Sequence, residues 1–140
     1  LRRHAVPAAQ VIVEVTEGAV LADLDRAIAS LNLLRAEGLR VSVDDFGTGQ
    51  SSLGQLKHLP ADELKIDKSF VLQLASGSED ERIVQSIVQL GHGLGLKVVA
   101  EGVETEAGLD VLARLRCDVA QGYHFSRPLP VEALTAWLQV

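Results

Sequence analysis

The chain has 140 residues, 47% hydrophobic and 23% charged, a globular balance that excludes disorder and suits one domain. A net charge of −6 and a pI near 5.1 exclude a broad electrostatic grip on a polymeric nucleic acid, although a small anion can be held where metal ions or a local Lys or Arg bridge the charges. Cys117 is the one cysteine, so no internal disulfide forms; it suits a reducing compartment and reads as a small buried hydrophobe. No apolar run reaches transmembrane length, and the opening Leu-Arg-Arg-His-Ala-Val-Pro lacks the core of a signal peptide. Met is absent throughout, and the chain reads as an excised piece of a longer cytoplasmic protein, whose other domains can anchor it to a membrane.

Short β-rich runs alternate with helical patterns. Val11 to Val15 reads as a strand, followed by one apolar-periodic stretch through Val20, Leu24, Ile28, Leu31 and Leu34 that stops at Glu37-Gly38. Val41 to Asp44 is a second strand, and Ser51 to Leu56 a short helix before Pro60, capped by Ser51 or Ser52. Glu63 to Asp67 is a third strand. Ser78 and Glu81 form a capping box for a helix with Ile83, Ile87, Leu90 and Leu94 on one face, ended by Gly93 and Gly95. Lys97 to Glu101 is a fourth strand, Thr105 caps a helix to about Arg114, Asp118 to Gln121 is a fifth strand, and Val131 to Leu138 is a closing helix.

Five β-α units imply a parallel sheet covered by helices, either an open doubly wound sheet or the second half of an eight-unit barrel. The polar residues favour the barrel. Glu14, Asp44, Lys65 with Asp67, Glu101 and Gln121 each lie at or near the C-terminal end of a strand, the layout of a (β/α)-barrel active-site face. Helix caps and surface ion pairs are the bland explanation, and five successive strands weigh against it.

The inventory of Glu14, Asp44, Asp45, Asp67 and Glu101 is one of hard oxygen donors, suited to Mg²⁺, Mn²⁺ or Ca²⁺. No Cys/His cluster offers a zinc site, and His4, His58, His92 and His124 do not pair at ligand spacing. Adjacent carboxylates repel unless something positive sits between them, so Asp44 and Asp45 point to one or two metal ions serving a phosphoryl displacement. Lys65 then orients a water or offsets developing charge, and Glu101 holds that water or takes its proton. Phe46-Gly-Thr-Gly49 is a sharp turn, a weak signal alone.

At these residues the chain resembles the EAL-domain family of cyclic di-GMP phosphodiesterases. The matching stretches are E-V-T-E (Glu14 to Glu17), D-D-F-G-T-G (Asp44 to Gly49), L-P-A-D-E-L-K-I-D-K-S-F-V (Leu59 to Val71), V-V-A-E-G-V-E-T (Val98 to Thr105) and C-D-V-A-Q-G-Y-H-F-S-R-P (Cys117 to Pro128). The resemblance implies the C-terminal part of a (β/α)₈ TIM-like barrel, with one strand of the whole barrel antiparallel, and hydrolysis of cyclic di-GMP to linear pGpG with a two-metal Mg²⁺ or Mn²⁺ site. It implies that Glu14, Asp44, Asp45 and, less firmly, Asp67 hold metal. Lys65 and Glu101 then work around the attacking water, Gln121 supports that network, and Glu17 braces the Asp-Asp-Phe-Gly loop.

Two departures stand out. Gln50 replaces a residue that is usually aromatic in the family. The namesake Glu-Ala-Leu and an Asn ligand both precede the segment matching Glu14, so residues 1–140 read as a partial domain without them. Glu132-Ala133-Leu134 is a decoy in the closing helix. A whole barrel of this type takes about 250 residues, so the isolated chain is expected to be nearly inactive and, with open strand edges, to self-associate or dimerise. Cyclic di-GMP is the expected partner, and sensory or GGDEF domains are the expected neighbours in the parent chain. The alternative function is that of a degenerate domain acting as a cyclic di-GMP receptor or a regulatory dimerisation module.

Overall fold

The computed structural model describes residues 1–48 and 53–139. Gly49, Gln50 and the expected cap at Ser51 or Ser52 lie outside the described residues. Five strands, β1 (Ile12–Thr16), β2 (Arg40–Phe46), β3 (Glu63–Ile66), β4 (Lys97–Ala100) and β5 (Val119–Ala120), form one parallel sheet in that same spatial order. Helices α1 (Glu17–Ala22) and α2 (Leu24–Ala36) follow β1. Then come α3 (Leu53–Leu56), α4 (Glu79–Gly93), α5 (Glu106–Arg114) and α6 (Val131–Trp137), one after each later strand. A doubly wound sheet reverses direction at a switch point. Here every unit steps to the next neighbour, which is the wall of a barrel.

Local chemistry sets the helix ends. Ser78 Oγ accepts the Glu81 N–H at 3.1 Å, and Thr105 Oγ1 accepts the Gly108 N–H at 3.1 Å. The capping box is skewed: the Glu81 carboxylate reaches back to the Gly77 N–H, one residue before the cap, and also pairs with Arg114 at 3.1 Å. The single helix expected through Val20 and Leu34 is two helices. Asp23 divides them because its carboxylate captures the Arg26 N–H at 3.2 Å, offering the backbone a new start. Short 3₁₀ turns at Arg2–His4, Ala8–Gln10 and Lys68–Phe70 carried no periodicity to betray them.

Strand alternation separates two faces. Val43, Leu64, Ile66, Val98 and Ala100 are buried against Val84, Ile87 and Val88 of α4 and Val111 and Leu112 of α5. Their alternates Ser42, Asp44, Lys65 and Glu101 fall on the other face, which is therefore polar. Among the described residues β1 and β5 are each hydrogen-bonded on one side only, and no helix is long and apolar enough to cross a membrane.

At the N-terminal end of the sheet the same tether occurs twice. Asp62, just before β3, accepts the Val41 N–H of β2 at 2.9 Å and pairs with Arg35 of α2 at 2.8 Å. Asp118, just before β5, accepts the Val98 N–H of β4 at 2.8 Å and meets His92 of α4 at 2.9 Å. The basic residue precedes the tethered strand residue by the same interval in both. Burial pushes the Asp118 carboxyl up, but the Val98 N–H and His92 outweigh it and hold it below its ordinary value. The contribution of such a lowered acid is present above the ordinary aspartate range and is lost as pH falls through the native value. Asp118→Ala leaves the Val98 N–H without its acceptor and should lower stability by about 1–3 kcal/mol at neutral pH. Urea unfolding midpoints followed against pH check this: the gap to the parent chain should close below about pH 4, and a gap that is absent at neutral pH or constant throughout would count against it.

Candidate functional site

The C-terminal end of the sheet is organised around one ammonium group. Lys65 of β3 is only 5% exposed. Its Nζ lies 2.6 Å from Glu101 Oε1, 2.8 Å from Glu14 Oε1 and 3.3 Å from Asp44 Oδ1. Glu14 comes from the middle of β1, Asp44 from β2 and Glu101 from the residue after β4, so Lys65 of β3 gathers residues of three other β-α units. Burial alone would push the Lys65 ammonium down. Hydrogen bonds to Glu101 and Glu14 and the charges of Glu101 and Asp44 outweigh it and raise it above the ordinary lysine value. Lys65 is therefore a fixed cation at neutral pH.

The Asp pair is handled by the backbone. β2 and β3 lose register between Val43 and Phe46, with Val43 opposite Leu64 and Phe46 opposite Ile66. That inserts an extra residue in β2, a bulge that re-aims the side chains there. Asp45 takes up the turn with φ of 56°, the left-handed region that Asp tolerates better than most residues. Its N–H donates to Asp44 Oδ1 at 3.0 Å, and its carbonyl accepts the Thr48 hydroxyl at 2.9 Å. The bulge and the left-handed turn thus break the regular alternation of β2 at the Asp pair. Glu17, buried at the start of α1, accepts the Gly47 N–H at 3.1 Å through Oε2. That bond ties α1 to the turn after Asp45.

Two other residues of the sequence-derived set stand apart from Lys65. Asp67 caps the 3₁₀ turn Lys68–Phe70: its Oδ1 accepts the Ser69 N–H at 2.9 Å, and the Ser69 hydroxyl first, then that N–H and the Lys68 charge, outweigh burial and hold its carboxyl below the ordinary value. Gln121 follows β5, donates its backbone N–H to Ala100 at 2.9 Å, and lines with Glu101 a cleft of about 310 Å³. Lys68, Glu104 and Tyr123 also line that cleft, and sequence reasoning passed over them. Their signal was position, since each stands just beyond a strand end on the functional side. His92 lies at the opposite end of the sheet, paired with Asp118.

One ammonium against three carboxylates, with Asp45 adjacent, leaves this face with excess negative charge. The donors are hard oxygens, which fits a divalent cation of the Mg²⁺, Mn²⁺ or Ca²⁺ kind. Among the described residues no group of three or more His, Cys, Asp or Glu side chains is placed to hold a metal by itself. The fit is one of donor chemistry and charge, with part of the ligand set turned to Lys65.

A family model described as the EAL domain matches residues 1–128. The chain belongs to the EAL-domain family. It is 51% identical to the Pseudomonas aeruginosa protein named bifunctional diguanylate cyclase/cyclic di-GMP phosphodiesterase MucR, over 97% of this chain and 20% of that protein. The solved structure of the MucR phosphodiesterase in complex with c-di-GMP superposes with a TM-score of 0.90 at 51% identity, over 96% of this chain and 54% of that one. The chain therefore spans about a fifth of the curated relative and about half of the solved domain. Klebsiella pneumoniae BlrP1, solved with c-di-GMP and manganese, superposes with a TM-score of 0.82 at 35% identity, over 91% of this chain and 33% of that one. EAL domains are thus known with divalent metal and cyclic di-GMP together, and their TIM-barrel-like architecture is the one that these five β-α units form.

In this EAL chain the Glu17–Gly47 hydrogen bond is the observed link between β1's end and the bulged turn. Glu17→Ala leaves the Gly47 N–H without that acceptor and should destabilise the chain by about 1–3 kcal/mol. Amide exchange at Gly47 should speed up more than exchange at Val98 in β4. Equal or unchanged exchange at both sites would sink this reading of Glu17.

Proposed function

We propose that this chain supplies the catalytic face of a metal-dependent phosphodiesterase that hydrolyses cyclic di-GMP to linear pGpG in bacterial second-messenger signalling. The observation that carries the reading is the Lys65 ammonium held by Glu14, Asp44 and Glu101 from three other β-α units. Glu14, Asp44 and Asp45 would hold the divalent cations, two ions of Mg²⁺ or Mn²⁺, with the remaining carboxylate oxygen of Asp67 as a further donor. Bound there, the cations supply Lewis acidity at the phosphodiester and make water more acidic.

The chain's own groups divide the remaining work. Lys65 offsets charge on the phosphoryl oxygens. Glu101 is the group left to take the proton of the attacking water. The water oxygen bonds to phosphorus, the bond from phosphorus to the ribose 3′ oxygen breaks, that oxygen takes a proton from solvent to become the 3′-hydroxyl, and the ring opens to the linear dinucleotide. Gln121 orients the water from the β5 side. Glu17 holds the turn that carries Asp45.

One observation favours a second reading, a cyclic di-GMP receptor without turnover: Glu14, Asp44 and Glu101 all turn an oxygen to Lys65. Binding without hydrolysis in the presence of Mn²⁺ would select it. The proposal further places the chain in the cytoplasm, as the C-terminal part of an EAL domain, beside a diguanylate cyclase (GGDEF) or sensory domain as the name of MucR suggests. The isolated chain is expected to self-associate as a dimer or larger species. Its β5 edge adjoins an apolar groove of about 710 Å³ with Phe125, Leu134 and Trp137 on its walls and half-exposed. Burying such surface stabilises by roughly 25 cal/mol per Å².

In the intact longer protein, Asp44→Asn should lower turnover of cyclic di-GMP by about 100-fold or more, and Gln50→Tyr should change it far less. Near-normal hydrolysis by Asp44→Asn with Mg²⁺ or Mn²⁺ would refute the assignment. The 140-residue chain alone should be nearly inactive and elute above monomer mass by light scattering, whereas an active monodisperse monomer would overturn both expectations.

A further inference from the structure

The position of Glu101 rests on two seams where backbone meets backbone without room for a side chain. Glu101 itself is anchored on β3 by its N–H, which donates to Ile66 at 3.3 Å. The next residue, Gly102, has φ of +72°, and a Cβ there would lie 2.7 Å from Lys68 Cβ and 3.3 Å from Lys68 Cα. The residue after it, Val103, is buried and donates its N–H to the Gln121 carbonyl at 3.1 Å. The Val103 carbonyl accepts the His124 N–H at 2.9 Å. Between those two bonds stands Gly122, where a Cβ would fall on the Val103 peptide oxygen and nitrogen and 2.7 Å from its carbonyl carbon. A peptide cannot give way as the tip of a long side chain can, so Gly122 is required by space alone, and Gly102 by space and by its left-handed backbone.

We infer that Gly102 and Gly122 are positioning residues: they let the loop after β4 lie in backbone contact with the turn after β3 and the turn after β5, and so fix Glu101 relative to Lys65 and Gln121. The side chains of Glu101 and Gln121 do the chemistry in the function proposed above, and the inference rests on that reading for its turnover arm only. The contact of Glu101 Oε1 with Lys65 Nζ at 2.6 Å is the spacing the seams maintain. A side chain at Gly122 separates Val103 from Gln121 and carries Glu101 with it. Displacement on the scale of 1 Å at a catalytic group loses about 100-fold in rate.

The experiment compares Gly122→Ala with Gly93→Ala, a site on α4 where an added Cβ meets nothing within 4 Å. Thermal melts followed by circular dichroism establish folding. Amide exchange at Val103 and His124 is read in the chain itself, and kcat and KM are read under conditions where the parent protein turns over cyclic di-GMP. Gly122→Ala should exchange at least about tenfold faster at both amides. Its kcat should fall by about 100-fold with KM within about twofold, a loss confined to the transition state. Gly93→Ala should match the parent in every readout. Parent-like exchange and kcat in a folded Gly122→Ala would overturn the inference, as would a rise in KM with kcat unchanged. If Gly122→Ala does not fold, Gly102→Ala decides. Lys68→Gly removes the Cβ that it meets, so Gly102→Ala should accelerate Val103 exchange less in the Lys68→Gly background than in the parent, and equal acceleration in both would overturn the inference. If the intact longer protein shows no turnover, the phosphodiesterase reading fails, and Val103 exchange in Gly122→Ala, faster or unchanged, still supports or overturns the seam.

Discussion

A lysine ammonium taken almost wholly out of water is expensive unless its charge is met, by several kcal/mol even after relaxation. Lys65 meets that requirement with three carboxylates from three other elements, at 2.6, 2.8 and 3.3 Å. Each partner depends on its strand lying in the right place, so the interaction ties together β1, β2, β3 and the end of β4. It also overshoots. One positive charge among three negative ones, with Asp45 alongside, leaves a concentrated negative field on a partly buried face, where screening by water is weak. Such a field is tolerable in a folded protein when a further cation shares it, and hard oxygen donors suit a divalent one.

The same crowding explains the irregular backbone of β2. Two adjacent residues on a regular strand point to opposite faces, so a straight β2 would send one of Asp44 and Asp45 into the apolar layer under α4. The bulge between Val43 and Phe46 and the left-handed turn at Asp45 remove that conflict. Phe46 then returns to the core, 7% exposed, in register with Ile66. The strain at Asp45 is held by bonds at both sides, from its own N–H to Asp44 and from Thr48 to its carbonyl, with Glu17 closing the turn at Gly47. Over-determination of this kind is what lets a sparsely populated backbone conformation persist.

Local features were legible in the sequence, and features made by pairing across the chain were not. Ser78 and Thr105 announce their helices because a cap acts over three residues, and β3 and β4 are visible as short apolar runs because their alternation is intrinsic. Strand-end placement put Glu14, Asp44, Lys65 and Glu101 on one rim, but alternation assigns a face and no distances. That Lys65, rather than either Asp, sits at the centre of the carboxylates depends on the mutual register of four strands. The bulge in β2 is invisible for the same reason, since it exists only against β3. Asp23 and Asp67 show the opposite failure. Each looks like part of a longer pattern, a helix face or a strand-end ligand, and each spends an oxygen on a nearby backbone N–H, an option open to any Asp at a chain turn. The Glu17 bond to Gly47 spans thirty residues, and only the family resemblance pointed toward it.

The two ends of the sheet divide their tasks. At the N-terminal end, Asp62 and Asp118 each meet a strand N–H and an Arg or His side chain, so these groups fix strand spacing. At the C-terminal end the charges are answered only in part. The difference follows from backbone polarity: strands in a parallel sheet present N–H groups at one end and carbonyls at the other, so a carboxylate is satisfied by the backbone at the first and needs a cation at the second. Lys65 supplies one such cation from within the chain. Among the described residues, the bent peptides of Asp45 and Gly47 donate to Asp44 and Glu17. Fixing strand spacing at the far end helps this rim hold its carboxylates close together without the strands splaying apart, so the rim can keep negative charge that Lys65 alone does not meet.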